Sequence, residues 1–473
     1  LASDRPGIGS KVGPHRSHGA VTRLLYSLVM WLVQPFLRLK LRRRGVQEPG
    51  YLLAMEEHFG YYASAAPPAD GNTIWVHAVS LGETRAAAVL VAGLRERLPG
   101  MRLLLTHGTA TGRFEGVQLL QPGDLQTWQP WDSAGAVQRF LAHFQPRMGI
   151  LMETEIWPNL VAGCAQRGVP LVLANARLSE QSQRKTRKLA WLARPAYRAL
   201  TAVWAQTQAD AARLQALGAP VQGVFGNLKF DATPNADQLT IGQRWRHQSA
   251  RPLVMLASSR EGEEAALLQA LASFRPLAPV GTENDAIISI VNEVQWLIVP
   301  RHPQRFDTVA ALIERLGFAV SRRSAWHDGP PAPGALDGVE PARPTVWLGD
   351  SLGEMALYYG LADVALLGGS FEPLGGQNLI EAAACGCPVV MGPHTFNFAE
   401  AAEQAQTAGA AQRVATMMEG LQAAAKLACQ ASALRAAQHA ADAFARTHRG
   451  ASARLTEAVV QLLAANRIES SSF

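Results

Sequence analysis

The sequence predicts an α/β fold of two doubly wound parallel sheets, and three observations point to it. Short apolar runs such as "TIWVHAV", "RMGILME", "PLVLANAR", "PLVMLASS" and "WLIVPRHP" are apolar throughout instead of alternating, which is the pattern of strands covered on both faces. Each run is followed by a helical stretch, the order that builds βαβ units. The series closes near "VFGNLKFD" (224–231), crosses a polar stretch and starts again. A chain of 473 residues has room for two such domains. Apolar and charged contents of 48% and 17% belong to a globular protein and exclude a disordered one.

Residues 1–21 are polar and mixed and are expected to be a disordered tail. Residues 22–45 follow as a candidate membrane anchor helix, apolar from Leu24 to Leu37 but interrupted by Gln34 and Pro35. That run is short for a straight span of about 20 residues. No small-residue cleavage site follows, which argues against a secretory signal. Lys40 and Arg42 to Arg44 come directly after it, suiting an interfacial or single-span anchor with its basic end at the anionic cytoplasmic leaflet. A buried core helix with a basic end is the alternative.

The first Rossmann-like domain is expected over 46–231. Residues 232–250 read as a connector, and a second domain over 251–466 ends in an Ala-rich helical tail. Two segments break the second series. Residues 279–293 interrupt a helix-to-strand step like an insertion, and 325–344, rich in Pro, Gly and Asp, read as a surface loop. In such folds ligands bind beyond the carboxyl ends of the strands, so the two domains are expected to face a cleft across those loops.

The formal net charge of +6 suits acidic partners (nucleic acid, anionic lipid or phosphorylated substrates) without choosing among them. Cys164, Cys385, Cys387 and Cys429 form no CxxC pair and no zinc spacing, so they are expected to be reduced and buried. His77, His107, His302 and His394 show no metal-ligand spacing either and read as hydrogen-bonding loop residues.

Candidate chemistry sits after the strands. Glu83 in "WVHAVSLGETRAA" is one carboxylate at a strand-to-helix turn, able to act as a general base or simply to complement the helix dipole. Glu153 and Glu155 in "LMETEIWPNL", Asn175 and Arg177 in "LANARLSE", and Lys229 in "GNLKFD" follow other strands. In the second half, "LGGSFEPLGGQNLIEAAACGCPVVMGP" places two Gly pairs before a helix starting near Asn378. Its backbone and helix start suit an anion, and Glu381 suits a ribose. Arg301 in "VPRHP" is placed for a phosphate, and "GDSLGEM" adds Ser351 and Glu354 on a second Gly turn. No G-x-S-x-G, Walker A or G-x-G-x-x-G motif occurs, which weakens hydrolase, ATPase and NAD-dehydrogenase readings. The residues alone support a nucleotide-dependent transferase at a membrane surface.

Taken together and in order, "HAVSLGE", "METEIWPN", "ANARLS", "GNLKFD", "VPRHPQRF", "LGDSLGEM" and "GGSFEPLGGQNLIEAAACGCPVVMGPHTFNFAE" resemble the 3-deoxy-D-manno-octulosonic acid (Kdo) transferases of bacterial lipopolysaccharide inner-core synthesis. The resemblance implies a GT-B fold and transfer of Kdo from CMP-Kdo to a lipid A precursor. Its setting would be the cytoplasmic face of the inner membrane, with an anionic lipid surface and no nucleic acid as partners. It implies Glu83 as the proton acceptor and Glu153 and Lys229 as transition-state support. For CMP it implies Pro300, Arg301, Leu352, Gly353, Glu354, Asn378, Leu379, Ile380 and Glu381. No cofactor or metal is implied, and one base suffices for a single inverting displacement.

The family's G-G-H-N is Gly375-Gly376-Gln377-Asn378 here, and its S-T-H-E-G-E-E is "ASSREGEE", with Arg260 in place of His. A related GT-B transferase with another nucleotide sugar, or a non-catalytic membrane scaffold, are the competing readings.

Overall fold

The strands that the sequence marks as buried runs assemble into two all-parallel sheets. The computed structural model describes residues 15–231, 233–274, 284–331 and 344–470. The chain divides into one unit of Leu1–Asp231 with Arg449–Phe473 and another of Ala232–His448.

The first unit holds β1 (Thr73–His77), β2 (Arg102–His107), β3 (Leu125–Trp128), β4 (Met148–Met152), β5 (Leu171–Ala176), β6 (Ala202–Ala205) and β7 (Val221–Val224). Their order is β3-β2-β1-β4-β5-β6-β7, so chain direction across the sheet reverses between β1 and β4. Every residue of β1, β4 and β5 is buried, as strands sandwiched between two helical layers must be. One face packs Trp75, Phe140 and Leu173, and the other Val76, Leu90 and Ile150. Burying each such side chain fully contributes about 1.5–3 kcal/mol.

The second unit holds β8 (Leu253–Ser259), β9 (Gln295–Pro300), β10 (Ala319–Arg322), β11 (Thr345–Leu348), β12 (Val364–Leu367), β13 (Val389–Met391) and β14 (Ala411–Arg413). Its order is β10-β11-β9-β8-β12-β13-β14, the same reversal now lying between β8 and β12. Edge strands β3, β10 and β14 carry no apolar run, and sequence patterning does not mark them.

Four expectations are corrected. The last helix, Ala451–Ser470, belongs to the first unit, not the second. Its Leu455, Val459 and Leu463 complete that unit's core, and the Asp231 carboxylate accepts from Gly450 N at 2.6 Å. The expected connector is mostly a helix of the second unit, Ala236–Gln248, capped by Asn235 and burying Trp245. The interrupting segment is a helix from Asn284 to Glu293 with Val291 in the core; residues 279–283 lie outside the described ones. Helix begins at His15, inside the expected tail, while residues 1–14 lie outside the description. In the expected 325–344 loop, residues 332–343 also lie outside it, and Trp326 is buried edge-on to Trp347 at 5.2 Å.

The expected anchor is two helices, α1 (His15–Leu32) and α2 (Gln34–Gln47). They bend by 49° at a break that Pro35 follows, and among the described residues no single helix is long and apolar enough to cross a membrane. The core-helix alternative fails on burial. Leu24, Leu25, Leu28, Val29, Trp31 and Leu32 of α1 are all exposed, Leu24 by 68%. Its polar side turns inward: Ser27 Oγ donates to Asn159 Oδ1 at 2.8 Å, and Tyr26 hydrogen-bonds Asp132. Helix α2 is fastened to the same unit by an Arg38–Glu56 ion pair and by Arg44, 4.6 Å over the Tyr51 ring.

Candidate active site

Glu83 stands in the first turn of α3 (Leu81–Arg97), directly after β1 and so at the reversal point of the first sheet. Ser80 caps that helix, accepting from Glu83 N at 3.4 Å. The Glu83 carboxylate closes the box, accepting from Ser80 Oγ at 3.0 Å and from Val79 N at 2.9 Å. The side chain is half-buried. Burial, and then the negative charges of Glu153 and Glu155, push its pKa up to about 7, against the hydrogen bonds from Val79 and Ser80. The helix-dipole role and the general-base role are therefore not exclusive: the cap fixes the carboxylate, and burial tunes it to the range a base needs near neutral pH.

Glu153 follows β4, the strand on the other side of the reversal. It is buried and takes a left-handed backbone conformation, φ +57°. Asn175, at the end of β5, does the same at φ +52°. Two non-glycine residues in this region at adjacent strand ends cost roughly 1–3 kcal/mol each, held by local bonds. Glu153 N donates to Ala174 O at 3.1 Å, and Arg177 N to Glu153 O at 3.1 Å. Asn175 Oδ1 accepts from Leu228 N at 3.0 Å, tying β5 to the 3₁₀ turn Leu228–Asp231 that carries Lys229.

Lys229 Nζ reaches Glu153 Oε1 at 3.3 Å, and Arg177 Nε reaches Glu153 Oε2 at 2.9 Å. Glu83, Glu153, Glu155, Arg177 and Lys229 thus gather on one edge of the first unit. Beside them lies a cavity of about 190 Å³ lined by Lys40, Arg44, Tyr51, Val79, Glu155 and Trp157. Its wall includes the residue whose N–H holds Glu83.

His77 and His107, expected in loops, are instead the buried last residues of β1 and β2, whereas His302 is exposed and His394 partly buried. His77 Nδ1 lies 2.9 Å from Thr106 Oγ1, and burial lowers its pKa to about 3. Among the described residues no three His, Cys, Asp or Glu side chains cluster as a metal site. Cys164, Cys385 and Cys387 are buried and free, and Cys429 is partly buried.

In the second unit the expected nucleotide residues follow three strands of the second sheet, the neighbours β11 and β9 and, beyond β8, β12. Pro300 ends β9, and Arg301 N donates to Ser259 O at 3.0 Å. His302 is held below its ordinary pKa by burial and by the charges of Arg260, Arg301 and Arg305, which marks a cationic loop. After β11, Gly353 has φ +76°, Leu352 is exposed, and Glu354 pairs with Arg323 at 2.9 Å. After β12, Gly375 and Gly376 have φ +91° and +74°, conformations that L side chains rarely adopt. Asn378 caps the helix Leu379–Ala384, accepting from Ile380 N at 3.2 Å. Leu379 and Ile380 are buried, so only their backbone is placed to meet a ligand. Sequence reading missed two groups: Asp132, to which α1 docks, and Glu263, treated below.

Residues 54–232 match the family model described as 3-Deoxy-D-manno-octulosonic-acid transferase (kdotransferase). A 3-deoxy-D-manno-octulosonic acid transferase of Bordetella pertussis is 44% identical over 443 residues, covering 92% of this chain and 98% of that one. The chain belongs to the Kdo transferase family. It is an enzyme of the glycosyltransferase class, and Kdo transfer is its reaction. A second Kdo transferase, from Haemophilus influenzae, is 31% identical and covers 80% of this chain and 84% of its own. Among solved structures, UDP-GlcNAc 2-epimerase from Neisseria meningitidis bound to UDP-GlcNAc matches with TM-score 0.51 and 12% identity, over 83% of this chain and 99% of that one. That likeness concerns the fold, and with the two parallel sheets it supports the GT-B architecture expected of a Kdo transferase.

Proposed function

We propose that the chain moves Kdo from CMP-Kdo to a lipid A precursor in one inverting displacement, with Glu83 as proton acceptor. The observation that carries this reading is the Glu83 carboxylate, fixed by Val79 and Ser80 and tuned to about 7. A carboxylate near pH 7 takes a proton from an attacking sugar hydroxyl as the bond to the anomeric carbon forms and the bond to phosphate breaks. Glu153 and Lys229, already paired, support the charge that develops in the transition state. CMP then leaves as a phosphate, its charge offset by Arg301 and the backbone around Asn378. No step in this scheme calls on a metal or cofactor.

The acceptor is phosphorylated and bilayer-embedded, and the first unit offers a matching surface. The outward face of α1 is apolar, Lys40 and Arg42 to Arg44 of α2 are exposed, and Lys40 and Arg44 also line the cavity beside Val79. The paired helices Glu180–Lys188 and Ala190–Arg198 add Arg184, Lys185, Arg187, Lys188, Arg194 and Arg198, all exposed, with exposed Leu189 and Trp191 between them. Helix Ala190–Arg198 packs against α1. Six basic and no acidic residues between Gln181 and Ala199 suit an anionic leaflet, each worth about 1 kcal/mol near its surface. In this reading the unit lies on the cytoplasmic face of the bacterial inner membrane.

Purified, detergent-solubilised protein incubated with CMP-Kdo and tetra-acylated lipid A precursor should yield lipid heavier by one or more Kdo residues. A folded, CMP-binding protein that yields none overturns the donor–acceptor pair and directs the search to other nucleotide sugars.

A further inference from the structure

The reversal point of the second sheet lies between β8 and β12, and one side chain joins the loops that leave those two strands. Glu263 begins the helix Glu263–Ser273 and is fully buried. Its Oε2 accepts from Arg260 N at 2.9 Å, within its own loop, and from Gly369 N at 2.8 Å, across the gap. Its Oε1 accepts from Phe371 N at 3.1 Å. A carboxylate has about four acceptor sites and no donor, so three convergent N–H groups suit it and suit no neutral side chain as well.

The bonds continue toward the glycine loop. The peptide whose Gly369 N–H Glu263 holds accepts in turn through its carbonyl, Gly368 O, from Gln377 N at 3.0 Å, and the next carbonyl, Gly369 O, accepts from Gly376 N at 2.7 Å. Asn378, the helix cap, is the next residue. The two loops also run close together, since a Cβ on Gly368 would lie 2.3 Å from Ser258 O. The adjacent Glu264 turns the other way, accepting from Ser259 Oγ at 2.7 Å and Arg305 Nη1 at 2.7 Å. An acid that only complemented a helix dipole would need neither cross-loop bond.

We propose that Glu263 is a positioning residue for the nucleotide donor, joining the two reversal-point loops and so setting where the glycine loop and Asn378 stand. The proposal rests on the reading that CMP binds at residues 378–381. Glu263 touches no reacting atom in this account; it acts through the backbone it holds. A glutamine there keeps size but aims an NH₂ group at backbone N–H donors, which leaves at least one of them unpaired.

The test compares the full chain with its Glu263→Gln variant by CMP titration, by KM for donor and acceptor, and by thermal melting. We expect a folded variant whose CMP Kd and donor KM rise about tenfold or more while acceptor KM stays put. A folded variant with CMP Kd within twofold of the parent overturns the inference, and so does an equal rise in both KM values. A parent that binds no CMP overturns the donor reading and this inference with it. Should the variant fail to fold, amide exchange in the unaltered protein decides: CMP should slow exchange at 260–264 and 368–378 together. Slowing at 368–378 alone overturns the proposal.

Discussion

The Glu153 carboxylate is held between two cations, Lys229 Nζ at 3.3 Å from one oxygen and Arg177 Nε at 2.9 Å from the other. The charge of that carboxylate is one of the forces raising the pKa of Glu83. Replacing it therefore has a signed consequence. Glu153→Gln removes a negative charge and leaves two cations facing its site, and both changes lower the pKa of Glu83. The acidic limb of the pH–rate profile should move to lower pH, even as the maximal rate falls. Kdo transfer measured from pH 5 to 9 checks this, and a limb moved to higher pH would contradict it.

For the unaltered enzyme the base acts when deprotonated, so kcat/KM should rise with pH and level off above about 7. Glu83→Gln should cost about 10²–10⁴-fold in rate.

The same residue carries a stability penalty. Its folded pKa, about 7, lies above the ordinary 4.5, so the folded state binds the proton more tightly. Whatever stability that confers is present below pH 4.5 and is lost as pH rises through 7. Glu83→Gln should thus melt higher than the parent at pH 8, by about 2–4 °C for each ~1 kcal/mol relieved, and less so at pH 5. Calorimetry at the two pH values reads the difference.

Asn175 links backbone strain to the site, since its left-handed conformation and its bond to Leu228 N place the turn that bears Lys229. Asn175→Ala loses the bond and keeps the strain, and should destabilise by about 2–3 kcal/mol. Asn175→Gly loses the bond but relaxes the strain, and should cost about 1 kcal/mol less. Urea unfolding of the two variants checks the order.

The two sides of α1 should answer differently to substitution. Leu25→Ser and Trp31→Ser change exposed side chains and should weaken vesicle binding with little change in melting. Tyr26→Phe, losing its bond to Asp132, should lower stability by about 1 kcal/mol and leave vesicle binding alone. Charge reversal at Lys185 and Lys188 should weaken binding to anionic vesicles at low salt and matter less at high salt. Sedimentation with anionic and neutral vesicles reads all of these.

Sequence patterning revealed the central strands, because parallel strands between two helical layers are apolar at every position. It missed edge strands such as β3, whose Leu125 and Gln126 are only partly buried. It read 400–466 as a helical tail of the second domain, which hid β14 (Ala411–Arg413) and put the helix Ala451–Ser470 in the wrong unit, since periodicity shows that a helix needs a partner and not which partner. The strand-end acids Glu83 and Glu153 stood out because a charge directly after a buried strand is conspicuous. The tuning of Glu83 did not, because it depends on burial and on the charge of Glu153, which lies 70 positions away (153 − 83). Glu263 was hidden for the same reason: two of its three backbone partners lie more than a hundred positions away.

The central claim is that Glu83 takes the proton in Kdo transfer. The most direct test is single-turnover transfer of Kdo from CMP-Kdo to lipid A precursor by the parent and by Glu83→Gln, with CMP affinity measured on both. The account predicts unchanged CMP affinity and a rate lower by about 10²–10⁴-fold in the variant. A folded variant that transfers Kdo at the parent's rate would contradict it and place the base elsewhere on that edge of the sheet.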